Sequence, residues 1–243
     1  MNYLSTFQVA ISGQIIVSVF ICVILAIVCF VVSSKAKKVD PLEEPKGIML
    51  IAELAVSFCD NFVEKNMGKI FVKRLGPYVG FWFAFIFLGF TFSLLGLPSP
   101  MTYLAVPLTL ALFTFILIHY TSIKYTKWKY FERFVSPFPF FLPVNIISMW
   151  APLISLSFRM FGNACAGMVL MNLVYGCFSS LSEMLFNGLE LPIAAIGVAP
   201  ILHAYFDLFS AFIQTLIFVY LSMLLVAGEV PPEVDVNDFE NEF

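Results

Sequence analysis

The sequence predicts an all-α, polytopic membrane protein: five membrane-crossing helices plus one interfacial amphipathic helix, the last two crossings long and strongly tilted as a hairpin. Three observations lead there. Of 243 residues, 60% are hydrophobic and only 12% charged, against roughly a quarter charged in an ordinary soluble chain. The charges gather in short blocks, leaving runs longer than the ~20 residues that cross a bilayer as helix. Placing those runs across a membrane puts twelve of the thirteen Lys and Arg on one side, the bias that orients membrane proteins. The same composition excludes a soluble enzyme, a secreted disulfide scaffold and a disordered tail binder. The five cysteines form no CxxC and read as small hydrophobes rather than metal ligands or bridges.

The first span is 9–34. Met1 to Ser34 is uncharged and Lys35, Lys37 and Lys38 follow it, the reverse of a cleavable signal peptide; this predicts an uncleaved helix with the N-terminus outside and the lysines cytoplasmic. Residues 46–71 alternate with helical period, Glu53, Ser57, Asp60, Asn61 and Glu64 on one face and Ile48, Ile51, Leu54, Phe58 and Phe62 on the other. That is an interfacial amphipathic helix, or a soluble segment packed on a partner. Leu75 to Ile123 is uncharged and broken by LLGLPSPMTY, giving spans 77–97 and 103–122 joined by a short outer turn. A second basic block, Lys124, Lys127, Lys129 and Arg133, returns the chain to the cytoplasmic side. A helix over 136–178 would be roughly 64 Å long, twice the ~30 Å hydrocarbon core. One steeply inclined helix followed by another over 192–227 keeps the Lys-free loop with Glu183 and Glu190 outside and the acidic tail 229–243 cytoplasmic. Inclination of this kind needs a partner surface to lie against.

Two groups of residues stand out against this apolar ground. Arg159 is the sole charge between Phe134 and Ser182, roughly 36 to 39 Å along a helix from its neighbours in sequence, Arg133 and Glu183. Mid-bilayer Arg costs about 2.5 to 3.5 kcal/mol on insertion scales and stays protonated, so it must face protein or water and meet a carboxylate. Asp207 of the same chain could supply it as a structural ion pair; a separate approaching helix could do so too. The helical neighbours Ser155, Gly162, Asn163, Ala166 and Gly167 favour close approach. In the last span His203, Asp207, Ser210 and Gln214 are spaced 4, 3 and 4, one polar face suited either to a proton path or to interhelical hydrogen bonding. His119 reads as an interfacial residue. No Walker loop, HExxH, nucleophile elbow or Cys/His cluster occurs, so no cofactor, metal, nucleotide or nucleic acid is expected to bind.

These residues resemble a known family. PLISLSFRMFGNACAG at 152 to 167 is similar to the SLxxRLFGN motif of subunit a of F-type ATP synthases, and FDLFSAFIQTLIFVYLSMLL at 206 to 225 to that family's last helix with its glutamine. GPYVGFWFAFIFLGFTFSLLGLP and FFLPVNII are weaker matches in the same order. The resemblance implies a non-catalytic, ion-translocating stator subunit in a bacterial plasma membrane or an organellar energy-coupling membrane, with the c-ring, peripheral-stalk b subunits and lipid as partners. It implies that Arg159 faces the ring's carboxylate, with Asn163 and Gln214 beside it and Asp207 on the ion path with Glu183, Glu190 or His203. Met168, Ser148, Met149, Tyr103 and Ser93 stand where relatives often carry acids, His or Asn, and the inner path has no nameable acid. Proton and sodium both remain open as the ion. A self-contained channel or transporter, with Arg159 as its anion or counter-ion site, is the competing reading.

Overall fold

The computed structural model describes residues 12–37, 47–135, 138–185 and 197–230, and every regular element among them is helical. Glu190 and the tail beyond Val230 lie outside the described residues. Helix α1 (Gly13–Ala36) is the apolar run that ends at the first lysines; in lipid such a run has no alternative that pairs its backbone groups internally except a closed barrel. Helix α2 (Ile48–Met67) is delimited by Gly47 and Gly68, both at positive φ, where a side chain would be strained. It lies against α3 (Val72–Thr91) at a GPYVG segment. A side chain at Gly76 would collide with Asp60, and one at Gly80 would come within 3.5 Å of Cys59 Sγ. Burial, then the adjacent Asp60 carboxylate, pushes the Cys59 thiol up from its ordinary value.

Helix α3 tightens into a 3-10 turn (Phe92–Leu95), reverses at Gly96 and passes through a second 3-10 turn (Pro100–Thr102) into α4 (Ala105–Thr126). Ser99 ties the reversal together, its buried hydroxyl donating to the Gly89 carbonyl at 2.8 Å while its own carbonyl accepts from Thr102 Oγ1 at 2.7 Å. Gly96 sits at φ 75, in the left-handed region. Gly96→Val is therefore expected to destabilise the folded chain by about 1–3 kcal/mol, read as a lower melting temperature in detergent. Lys127, at φ 51, ends α4 before the short α5 (Lys129–Val135).

Helix α6 (Leu142–Leu185) is continuous over 44 residues, about 66 Å of helix. It must therefore incline strongly to keep its apolar length within the bilayer. The return strand of the hairpin is α7 (Ala199–His203), a π-helical turn (Ala204–Phe209) and α8 (Ser210–Ala227). Among the described residues five helical segments are long and apolar enough to cross a membrane.

Burial divides them. The most apolar stretches of α4 and of Ala199–Ala227 are 39% and 44% buried, those of α1 and α6 only 11%, so α3, α4 and α8 form the interior and α6 forms an outer wall. Ile86, Ala111 and Phe218, one from each of these helices, belong to one buried apolar cluster. A polar seam crosses the same three helices: Tyr78 Oη lies 2.8 Å from Thr114 Oγ1, itself 3.3 Å from Ser222 Oγ. Such bonds between helices contribute roughly 0.6 kcal/mol each on average. Gln14, Pro98, Thr102, Tyr175 and His203 line one cavity, which brings the start of α1, the α3–α4 reversal and the α6–α7 end together. The end of α4, α5 and the start of α6 converge on a second cavity at the opposite end, with Lys124 and Lys127.

Candidate functional site

Arg159 lies about 26 Å from the first residue of α6 and about 39 Å from its last, so neither helix end can serve it. Its side chain is exposed on the isolated chain, and among the described residues it has no hydrogen-bond or ion-pair partner. Asp207 does not hold it; that carboxylate is engaged elsewhere. Ser155, Gly162, Asn163 and Ala166 around Arg159 are exposed as well, and a Cβ added at Gly162 would meet nothing within 4 Å. Of the stripe only Gly167 is buried, a Cβ there coming within 3.7 Å of Phe206; the other small residues do not serve packing within this chain. They leave an open strip on the outer wall with a cation at its centre.

One turn along α6, Asn163 Nδ2 donates to Gln214 Oε1 at 2.7 Å, a direct side-chain hydrogen bond between the two arms of the hairpin. Gln214 is 1% exposed, and its Nε2 has no partner among the described residues. An unmet buried amide donor costs about 1–3 kcal/mol, so Nε2 is left with an N–H to donate.

His203 and Asp207 come together at the π-helical turn. His203 Nδ1 is 2.5 Å from Asp207 Oδ2, and His203 Nε2 is 2.9 Å from Tyr175 Oη on α6. With the carboxylate ionised, Nδ1 carries the ring proton and Nε2 accepts from the phenol, so the imidazole bridges an acid and a hydroxyl. The Asp207 side chain is 14% exposed and that of His203 30%. All three line a cavity of about 240 Å³ that runs past Gln14, Ser93, Ser99, Thr102 and Asn172 to Asn163. It is polar and large enough for several waters, and it reaches from the α3–α4 reversal to within one turn of Arg159.

Ser210 is half-buried at the first residue of α8, outside both the pair and the cavity lining. Glu183 is exposed in the last turn of α6. Tyr175, Asn172 and Thr102 had not been singled out from sequence. A signal existed for Tyr175, since Asn163, Gly167, Met171 and Tyr175 follow one another at intervals of four and continue the small-residue stripe. Among the described residues no three His, Cys, Asp or Glu are placed to hold a metal ion.

The helices and the charges they carry define an integral membrane protein that keeps ionisable groups at mid-span, where such groups mark function. Comparison places it more closely. Residues 15–227 match the family described as ATP synthase A chain. The chain is 30% identical to ATP synthase subunit a of Mycoplasmoides gallisepticum, over 93% of this chain and 81% of that protein. It is 29% identical to ATP synthase subunit a of Alkalihalophilus pseudofirmus, over 90% and 91%. The chain belongs to the ATP synthase subunit a family.

Proposed function

We propose that this chain is the ion-conducting stator subunit of a rotary ATP synthase, working against a ring of carboxylate-bearing subunits and held by peripheral-stalk b subunits. The observation that carries the reading is the exposed, uncompensated Arg159 on an open strip at mid-span. A cation left so must meet its anion on another molecule. In this reading the N-terminus is outside and the C-terminus cytoplasmic, because the basic blocks then lie inside, and the membrane is a bacterial plasma membrane. The 240 Å³ cavity is the outer half-channel. An ion, proton or sodium, passes from it to neutralise a ring carboxylate, which can then rotate into lipid. A carboxylate returning by the other side meets Arg159. The guanidinium stabilises the charged form and so expels the ion into the inner half-channel. The same fixed charge blocks direct passage between the half-channels. Gln214 and Asn163 hold the arms of the hairpin in register and offer an amide donor to the carboxylate. The membrane potential contributes about 2.3 kcal/mol per charge per 100 mV, so several ions drive each ATP formed on other subunits; this chain catalyses no bond change.

The test is purification from the native membrane followed by reconstitution. Co-purification with an oligomeric ring and soluble ATPase subunits, and no ion flux from the chain alone, is the expected result. Saturable transport by the chain alone would instead establish a transporter with Arg159 as its anion site.

A further inference from the structure

Resting on that reading, we propose that His119 is the proton-transferring group of the inner half-channel. An ion expelled at Arg159 must reach the cytoplasmic end, yet Phe134 to Ser182 carries no charge but Arg159, so the wall of α6 has no acid to receive a proton. A second cavity, of about 110 Å³, does lie at that end, lined by His119, Tyr130, Phe134, Asn145, Ser148 and Met149. Met149 is ten residues from Arg159, about 15 Å along α6 toward the basic blocks. His119 is half-buried in the last turns of α4. Its Nδ1 is 3.5 Å from Tyr130 Oη, and its ring is edge-on to Phe115 with centroids 4.1 Å apart, so the imidazole is held rather than swinging in the headgroups.

Tyr130, from α5, faces His119 across the cavity. Asn145, Ser148 and Met149, from α6, do not titrate, and α8 carries no acid or base but the Tyr220 phenol. On α5 Glu132 is exposed, and Lys124 at the end of α4 lies over the Tyr125 ring. His119 is thus the one imidazole of the lining, the side-chain type suited to passing a proton between an acid and water. The step is a proton exchange: a proton leaving the ring carboxylate through water binds the imidazole, and the imidazolium gives up a proton to inner water, returning to the neutral tautomer from which it started. The asparagine and serine hold the intervening waters.

The test is passive proton conduction through native membranes stripped of the soluble ATPase, with inner pH varied between about 5.5 and 8.5, the interval over which imidazole titrates. His119→Gln is expected to lower conduction at least about fivefold at pH 7 and to flatten its dependence on inner pH, a smaller loss than the hundredfold or more typical of an acid–base group, because water in the cavity still conducts. Outer pH dependence should persist. A wild-type rate and profile would overturn the proposal. If His119→Gln does not assemble, Ser148→Glu in the otherwise unsubstituted complex decides. A carboxylate beside that imidazole should move the inner-pH midpoint upward by about one unit, and an unmoved midpoint overturns the proposal. Failure of the stator reading itself would look different, since the chain reconstituted alone, without ring or soluble ATPase subunits, would then carry ion flux.

Discussion

Arg159→Ala is expected to abolish ATP-driven proton pumping in inverted membrane vesicles while the subunit still assembles. Assembly should survive because the side chain makes no hydrogen bond or ion pair among the described residues. Removing it relieves the chain of a mid-membrane charge costing about 2.5–3.5 kcal/mol. Coupling should fail for two reasons that act together. Without the guanidinium a ring carboxylate arriving from lipid keeps its proton, since nothing nearby favours the charged form. And the barrier between the half-channels is gone, so protons cross without turning the ring. The expected loss in coupled pumping is at least about a hundredfold, as when a group acting only at the reacting step is removed, and passive leak through the stripped membrane sector should rise. Arg159→Lys keeps the charge but replaces a planar, always-protonated fork by a point charge that loses its proton readily when desolvated. It should recover the leak barrier better than the pumping. Pumping that persists in Arg159→Ala would remove the basis for the stator reading.

How much of this was written in the sequence depends on whether the signal was electrostatic or geometric. Charge-free runs located α1, α3, α4 and the hairpin because a charge in lipid is costly wherever it falls. The same cost singled out Arg159. The excessive length of the uncharged stretch after Phe134 announced an inclined helix, and α6 is one helix of 44 residues. What resisted reading was local geometry. Nothing in AYFDLF marks a π-helical turn, which a propensity scale does not distinguish from α-helix. The regular 4, 3, 4 spacing therefore grouped Ser210 with His203 and Asp207, whereas Ser210 does not line the cavity they share. Tyr175 went unnoticed because a mid-span aromatic reads as packing until an imidazole is found 2.9 Å from its hydroxyl. His119 read as an interfacial residue because α5, whose Tyr130 covers it, is only seven residues long, and its seven-residue pattern is too short to announce a helix.

Asp207→Asn combined with His203→Gln is expected to cut ATP synthesis driven by an outer acid pulse by roughly a hundredfold, the lower end of the range for general acid–base groups. Asp207→Asn alone should cost roughly tenfold. Asparagine preserves the size of the side chain and an oxygen that accepts from His203 Nδ1, so the pair's geometry and the helix–helix contact are kept. Only the capacity to take up a proton is lost. His203 then remains as the one imidazole lining the outer cavity, which is why the single variant retains some flux and the double variant does not. Tyr175→Phe removes a hydroxyl that can pass a proton to His203 but cannot hold a negative charge at neutral pH, and its effect should be smaller, within about fivefold. The three variants should also differ in sidedness. Their passive conduction should fall when outer proton concentration limits the rate and match the unsubstituted complex when the inner half-channel limits it. An Asp207→Asn, His203→Gln complex that makes ATP at the normal rate would show that the 240 Å³ cavity is a packing void rather than a path, because no other acid among the described residues lines it.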